Sequence, residues 1–105
     1  MRVFKESTVE LFTKRVDGLP YANHRALGWD TIQPGIPSPS GQKFSENSFG
    51  HTGYTGPHVW ADKDKNLGVV VLDNRIYPAT SSVTSVSNMW FRNNVMNMIV
   101  DIWSE

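Results

Sequence analysis

The sequence predicts an α/β fold of the α+β type, in which an antiparallel strand meander packs against a C-terminal helix. Three strand-like runs separated by short turns occupy residues 48–74. A broad apolar pattern with helical spacing follows them near the C-terminus. The chain has 105 residues, of which 39% are hydrophobic, so we expect residues 1–105 to belong to one domain rather than two.

A short helix is expected near the N-terminus. Ser7 and Glu10 have the capping-box spacing, in which each side chain binds a backbone amide of the first turn. Val9, Phe12 and Val16 then fall on one helical face, before an Asp-Gly-Leu-Pro sequence that stops a helix. We therefore predict a helix over about residues 8–16.

Residues 26–41 are expected to form a strand followed by a loop. Alternating apolar and polar side chains over 26–32 favour a strand. Prolines are concentrated in 33–41, where they fix φ and remove backbone donors. We therefore predict a surface loop over that stretch.

The three runs of the meander cover about residues 48–54, 57–61 and 67–74. A Thr-Gly pair separates the first two, and a polar turn separates the last two. The third run contains Leu67-Gly68-Val69-Val70-Val71-Leu72, which is apolar at every position instead of every second one. Such runs are typical of strands covered on both faces, so we expect this strand not to be exterior.

The last helix is expected to begin at Ser87 or Asn88 and to run to about Trp103. Its predicted apolar stripe is broad and needs a large surface to cover it. The stripe consists of Phe91, Val95, Met98, Ile99 and Ile102, widened by Met89, Met96 and Trp103.

Composition excludes several classes of function. Ten basic residues balance ten acidic ones without a Lys/Arg-rich patch, so no nucleic-acid or anionic-membrane partner is expected. The longest apolar run is far shorter than a membrane span. Cysteine is absent, which removes disulfides, thiolate metal ligands and a cysteine nucleophile.

Two patterns imitate metal sites. Asp62-Lys63-Asp64-Lys65-Asn66 resembles the first half of a calcium loop. Leu67 follows where that loop needs glycine, and Asp73 stands where it needs glutamate, so a solvated hairpin turn is favoured. His24 and His58 have no ligand spacing, and we interpret them as surface imidazoles. Neither a metal site nor a cofactor is predicted.

Two further patterns imitate parts of a serine hydrolase site. Ser40 and Lys43 match Ser-x-x-Lys, in which a helical turn places an amine beside a serine nucleophile. The preceding prolines and the internal Gly41 disfavour that helix, so chance is the preferred interpretation. Tyr21-Ala22-Asn23 matches Tyr-x-Asn, but a polar connector after Pro20 is favoured.

The segment Phe49-Gly50-His51-Thr52-Gly53-Tyr54-Thr55-Gly56 is the strongest candidate for function. It interleaves small residues with an imidazole and hydroxyl groups on a predicted strand. This pattern is expected where a ligand approaches the backbone closely. A glycine-rich bend that lets strands cross is the alternative interpretation.

This segment belongs to an ordered set of motifs. Gly-Trp-Asp occupies 28–30, Phe-Ser-x-x-Ser-Phe-Gly-His-Thr-Gly-Tyr-Thr-Gly occupies 44–56, Val-Trp-Ala-Asp occupies 59–62, and Val-Val-Val-Leu-Asp-Asn-Arg-Ile-Tyr-Pro occupies 69–78. The set resembles the C-terminal part of the β-lactamase-like serine hydrolases. That family includes class C β-lactamases, penicillin-binding D-Ala-D-Ala carboxypeptidases, esterases and D-aminopeptidases. The resemblance extends over nearly the whole chain.

The resemblance implies that His51-Thr52-Gly53 is the family's third motif, on the strand that lines the active site. His51 would bind a substrate carboxylate or support proton transfer, Thr52 would donate a hydrogen bond, and Gly53 would leave room for the substrate. The Tyr54 amide would be one oxyanion-hole donor, typically worth ~3 kcal/mol of transition-state stabilisation.

By the same resemblance, the serine nucleophile lies upstream in a part of the enzyme that this chain lacks. The chain would then be a fragment of the β-lactamase/transpeptidase-like fold, inactive in isolation. The complete enzyme would hydrolyse an ester, amide or β-lactam through an acyl-serine, with a small-molecule or peptidoglycan-like acyl substrate. A non-catalytic binding or structural domain that kept the fold is the alternative.

Two more expectations follow from the resemblance. Pro57 and His58 replace the small hydroxyl residues usual after Thr-Gly, and Asp73 replaces a usual Thr or Ser, which bears on the substrate preference. In the family, the sheet continues from the 67–74 strand to a strand formed near the N-terminus of the full protein. We therefore expect this chain to need the missing N-terminal part or to self-associate.

Overall fold

The computed structural model describes residues 1–18, 24–76 and 85–105. Within these ranges the protein has a four-stranded antiparallel sheet and two helices, which confirms the α+β class. In chain order the elements are α1 (Glu6–Thr13), β1 (Asp30–Thr31), β2 (Ser48–Thr52), β3 (His58–Asp62), β4 (Leu67–Val71) and α2 (Ser85–Trp103). The strands are neighbours in the order β1-β2-β3-β4. No helix in the described ranges is long and apolar enough to cross a membrane.

The core lies between one face of the sheet and α2. Gly50 is paired with Trp60, and Trp60 with Val69, so these three residues share one face. Trp60 is fully buried, and its indole Nε1 donates a 2.9 Å hydrogen bond to Ser48 Oγ. The polar atom of this large ring is therefore satisfied inside the core. The buried apolar cluster consists of Phe44, Trp60, Leu67, Val69, Met96 and Val100.

β4 is the last strand of the sheet and is covered on one face only. Leu67 and Val69 are buried beneath α2, whereas Val70 points to the opposite face and is 66% exposed. The expectation that both faces of this run are covered is wrong, because α2 packs on a single face of the sheet. Among the described residues, no strand pairs with β4 beyond β3.

α2 buries only part of the broad apolar stripe that the sequence predicts. Arg92, Met96 and Val100 follow one another at intervals of four residues and are buried against the sheet. A second row, here called the outer stripe, lies roughly 100° around the helix. The outer stripe consists of Phe91, Val95, Met98 and Ile102, of which Val95 is half-buried and the others are exposed. The broad predicted stripe is therefore buried only in part: Met96 is fully buried and Ile99 packs against the core, whereas Phe91, Met98 and Ile102 are exposed.

α1 begins earlier than predicted and without the expected cap. Lys5 is the N-cap residue, and it makes no side-chain capping hydrogen bond. Ser7 lies inside the first turn, so the capping-box prediction is wrong. The helix ends at Thr13, because Lys14 adopts an extended conformation.

The region before β2 is mostly loop. Only Asp30–Thr31 of the predicted strand pairs with β2, and Gly28 just before it adopts a left-handed φ of +86° that interrupts strand geometry. Residues 33–41 contain no helix or strand, as expected. This loop lies against α2, where Gly41 is so close to Asn97 that a Cβ would overlap the Asn97 amide.

The turn between β3 and β4 is a hairpin organised by Asp62, which confirms the favoured interpretation of this segment. The Asp62 carboxylate is buried and accepts hydrogen bonds from the Ser45 amide and hydroxyl at 2.7 and 2.8 Å. It also accepts from the amides of Asp64 and Lys65 at 2.9 and 3.1 Å. The carboxylate is thus committed to the turn backbone.

Candidate functional site

The candidate segment spans the end of β2 and the turn into β3. His51 and Thr52 are the last two residues of β2, so their side chains point to opposite faces of the sheet. His51 is exposed on the open face, where its Nδ1 lies 2.8 Å from the Thr52 carbonyl oxygen. Thr52 is half-buried on the face that α2 covers. The side chains of His51 and Thr52 therefore lie on two different surfaces of the sheet.

The turn after β2 presents two backbone N–H groups, those of Tyr54 and Thr55, that have no hydrogen-bond partner among the described residues. The Gly53 amide donates to the Pro57 carbonyl at 2.6 Å, and the Gly56 amide donates to the Gly53 carbonyl at 3.2 Å. Between them, the Tyr54 amide makes no hydrogen bond with any residue in the described part of the chain. The Tyr54 side chain is 79% exposed. Such an accessible N–H can receive an anion or a developing oxyanion.

Arg92 of α2 holds this turn from the covered side. Its Nη2 donates to the Gly56 and Gly53 carbonyls at 2.8 and 3.2 Å, and its Nε donates to the Gly56 carbonyl at 3.2 Å. Gly56 has a φ of +132°, which residues with a side chain rarely adopt. Because Arg92 is buried, these charge-assisted hydrogen bonds are shielded from water and fix the backbone of the candidate motif.

Arg75 holds the same turn from the solvent side. Its Nε donates to the Tyr54 carbonyl at 2.8 Å, and its guanidinium carbon lies 4.9 Å from the centre of the Tyr54 ring. Its backbone amide donates to the Thr55 carbonyl at 2.7 Å. An exposed cation–π contact of this kind contributes about 0.5–1 kcal/mol. The segment after β4 is thereby attached to the candidate turn.

A cleft of about 410 Å³ opens beside the turn. Its walls are Thr52, Gly53, Tyr54, Arg75, Asn88, Met89 and Arg92. Two guanidinium groups stand among these described walls, and no carboxylate does. The cleft therefore favours an anionic group, such as a carboxylate, beside the Thr52 hydroxyl.

His58 is buried, so its interpretation as a surface imidazole is wrong. It is 3% exposed, because it shares the α2-covered face of β3 with Trp60. Neither ring nitrogen has a hydrogen-bond partner among the described residues. Burial lowers the pKa of His58, and the positive charge of Arg92 lowers it further, while Asp73 and the Gly56 backbone oppose the shift. The imidazole is therefore held in its neutral form at neutral pH. The other interpreted surface imidazole, His24, is half-buried.

His58 and Asp73 lie near each other beneath the turn and interact electrostatically. A Cβ on Gly56 would be 2.9 Å from Asp73 Oδ1. Asp73 also acts electrostatically on both His58 and Arg92. Sequence reasoning missed Arg92, although a single arginine four residues before Met96 in an apolar helix was an available signal.

The Ser-x-x-Lys lookalike is not assembled. Ser40 is fully buried, and its hydroxyl oxygen lies 2.7 Å from Ser38 Oγ. The Lys43 amine forms an ion pair with Asp101 of α2 instead. These contacts support the interpretation of the match as chance. Tyr21-Ala22-Asn23 lies outside the described residues.

Comparisons with known proteins identify no relative. A scan against protein-family models, a search of curated proteins and a search of solved structures each found no match. Within the described ranges, no group of three or more His, Asp or Glu side chains could hold a metal ion. A function for this chain is therefore inferred from the motifs of the sequence and from the geometry around the β2–β3 turn.

Proposed function

We propose that this chain is the C-terminal segment of a β-lactamase-like serine hydrolase and that it supplies the His-Thr-Gly wall of the active site. The observation that carries the proposal is the Tyr54 amide, which follows directly after His51-Thr52-Gly53 and has no hydrogen-bond partner among the described residues. An oxyanion hole needs such an N–H to be positioned before the reaction. The ordered motifs over 28–78 support the family, and an antiparallel sheet covered by a C-terminal helix is compatible with a fragment of its fold.

The chemistry divides between this chain and an upstream segment. The oxygen of an activated serine adds to the carbonyl carbon of an ester, amide or β-lactam, and the carbonyl oxygen becomes an oxyanion. The Tyr54 N–H donates a hydrogen bond to that oxyanion. When the oxyanion collapses, the leaving group is expelled and takes up a proton. Water then hydrolyses the acyl-serine. His51, exposed on the open face, is a group that can relay this proton or bind the substrate.

Thr52 and the neighbouring cleft supply a second role, which is to bind the substrate. Arg75 and Arg92 place two guanidinium groups in the walls of the cleft, which suits the carboxylate of a small-molecule or peptidoglycan-like acyl substrate. Thr52 adds a hydroxyl donor at the same wall. The substrate class that fits best is therefore an acyl compound with a carboxylate close to the bond that is cleaved.

A non-catalytic binding domain is the second candidate. In the described residues, no serine hydroxyl is hydrogen-bonded to a lysine or histidine side chain, as an activated nucleophile requires. The positive cleft would then bind an anionic ligand without turning it over.

The reading frame upstream of the Met1 codon distinguishes the two candidates. The hydrolase proposal expects a continuous frame that encodes Ser-x-x-Lys and Tyr-x-Asn, and a longer polypeptide that forms a covalent adduct with a fluorophosphonate. In that polypeptide, His51→Ala should lower kcat/KM for an ester by about tenfold to a thousandfold. Glu46→Ala, at an exposed position in the loop before β2, should leave kcat/KM unchanged. A frame without a serine nucleophile, or unchanged kinetics for His51→Ala, rejects the hydrolase proposal.

A further inference from the structure

Three side chains from different parts of the chain surround Gly56 beneath the β2–β3 turn. Arg92 of α2 donates from Nη2 and Nε to the Gly56 carbonyl at 2.8 and 3.2 Å. The Asp73 carboxylate lies so close to Gly56 that a Cβ there would be 2.9 Å from Oδ1. His58 is buried on the covered face of β3, two residues after Gly56. We call these three side chains the Gly56 cluster.

The Gly56 cluster has unused hydrogen-bonding capacity. Among the described residues, neither ring nitrogen of His58 nor Oδ1 of Asp73 has a hydrogen-bond partner, although all three atoms are buried. Buried polar atoms are nearly always paired in proteins. Two groups stabilise a proton on the His58 ring, namely the Asp73 carboxylate and the Gly56 carbonyl. Acceptors for a protonated imidazole are therefore in place around a ring that is neutral at neutral pH.

Arg92 is the charge that opposes this protonation. The cross-strand partners of His58 are Thr52 on β2 and Val71 on β4, neither of which is charged. Among the described residues, Arg92 from α2 and Asp73 from the segment after β4 are the charged groups that act on the ring. A proton on His58 places two positive charges together in a site that is largely shielded from water. The imidazolium and the guanidinium therefore repel each other.

Arg92 also sets the direction of the Tyr54 N–H. The Gly53 carbonyl and the Tyr54 N–H belong to one planar peptide unit, in which they point in opposite directions. Arg92 Nη2 donates to that carbonyl at 3.2 Å, and the Gly56 amide donates to it at 3.2 Å as well. The direction of the candidate oxyanion donor is therefore fixed by hydrogen bonds to the other end of its own peptide.

We propose that His58 is a proton-operated switch of the β2–β3 turn. When His58 is neutral, Arg92 holds the peptide before Tyr54, and the Tyr54 N–H keeps one direction. When His58 takes up a proton, its ring pairs with Asp73, Arg92 leaves the turn carbonyls, and that peptide is free to rotate. The switch itself needs only the described residues. Its catalytic consequence, which is loss of the oxyanion donor in mild acid, rests on the proposed function.

An NMR titration of the 105-residue chain tests the switch. The background is His51→Gln, because the exposed His51 imidazole would otherwise move the same signals. We expect the Tyr54 amide and the His58 ring to titrate with one midpoint, which lies below pH 6.5. Below that midpoint the Arg92 Nε–H should exchange with water about tenfold faster, because it has lost its acceptor.

Two variants in that background separate the switch from other effects of pH. In His58→Gln the Tyr54 amide should no longer titrate, and the Arg92 Nε–H should stay protected. Asp73→Asn removes a charge that raises the pKa of His58, so the His58 and Tyr54 midpoints should move together to lower pH. Asp64→Asn, at an exposed position in the β3–β4 turn, is the matched control and should leave both midpoints unchanged.

Several results would overturn the switch. These are different midpoints for the His58 ring and the Tyr54 amide, a Tyr54 titration that persists in His58→Gln, or a His58 ring that stays neutral until the chain unfolds. Shift changes without faster Arg92 exchange also reject it, since the charge alone produces them. If His58→Gln does not fold, the joint movement of the two midpoints in Asp73→Asn decides.

The catalytic consequence is measured separately in the longer polypeptide. If that polypeptide hydrolyses esters, kcat should fall about tenfold per pH unit below the His58 midpoint. This acid limb should move to lower pH in His58→Gln. A polypeptide without hydrolase activity rejects the proposed function and leaves the NMR result standing. An acid limb that does not move rejects the catalytic consequence of the switch alone.

Discussion

Gly50 faces Trp60 across the β2–β3 pair, and the indole ring occupies the space that a Cβ on Gly50 would need. The Val59 carbonyl closes the same space from the backbone side. Trp60 is fully buried and hydrogen-bonded to Ser48, so a shift of its ring would disturb both the core packing and this hydrogen bond. Trp60, the largest core residue, therefore packs here only because residue 50 has no side chain.

Gly50→Ala should lower the free energy of unfolding by about 1–3 kcal/mol, because the added methyl group overpacks the core. Gly68→Ala is the matched control, since its Cβ would enter open space in a strand of the same sheet. It should have a neutral or slightly stabilising effect. Urea unfolding monitored by tryptophan fluorescence measures both, and equal effects would contradict the packing argument.

His58 should make stability depend on pH. Its pKa in the folded protein lies below the ordinary value of 6.5, so the unfolded chain binds a proton that the folded chain does not. The free energy of unfolding contributed by this group is fully present above about pH 6.5 and falls as the pH decreases through the lowered pKa. His58→Gln should flatten this dependence between pH 5 and 7, whereas His51→Gln, at an exposed position, should not. Melting curves across that interval provide the measurement.

Arg92→Met should destabilise the β2–β3 turn, because the carbonyls of Gly53 and Gly56 lose their buried donors. We expect a loss of about 1–3 kcal/mol in chemical unfolding. Removal of the positive charge should also raise the pKa of His58, measured by NMR titration of its ring protons. Asn94→Ala, on the exposed face of α2, is the control. A His58 pKa that does not move in Arg92→Met would show that the two groups are not coupled.

Asp62→Ala should cost about 3 kcal/mol, since its carboxylate satisfies the Ser45 amide and hydroxyl together with two turn amides. Asp64→Ala in the same turn should stay within about 0.5 kcal/mol, because Asp64 is exposed. Each of the two variants removes one carboxylate from the same hairpin. A difference between their unfolding free energies therefore reflects the position of the carboxylate and not the loss of a charge. Similar losses in both variants would reject the role given to Asp62.

The isolated chain should form no covalent adduct with a fluorophosphonate or a fluorescent penicillin. Ser40 is fully buried and the Lys43 amine is engaged by Asp101, so the serine lacks both access and a base. Intact-mass spectrometry checks the result, with a known serine esterase as the positive control. Stoichiometric labelling of Ser40 would contradict it.

The meander was predictable because its turns carry strong local signals. β2, β3 and β4 lie within the predicted runs to one or a few residues, and the Asp62 hairpin is where the polar turn placed it. The buried face of α2 could not be assigned from the sequence, because the apolar spacing favoured Phe91 and Met98 over the row that contains Arg92. The burial of His58 depends on strand register and on the position of α2, and neither is encoded in local spacing.

For the candidate site, only the position of its backbone segment could be predicted from the sequence. Local sequence located His51 through Tyr54 at a strand end, but the groups that hold the turn come from far away in the chain. Arg92 is separated from Gly56 by 36 positions, and Arg75 is separated from Tyr54 by 21. Side chains at such separations leave no periodic signal in the sequence.

The last helix also determines when the protein can fold during synthesis. α2 supplies Met96 and Val100 to the core and Arg92 to the β2–β3 turn, so the meander cannot complete its core until α2 has been synthesised. The meander therefore leaves the ribosome before α2 does, and the Trp60 face stays uncovered until α2 has emerged. Until then, the nascent chain presents the kind of apolar strand surface that chaperones bind.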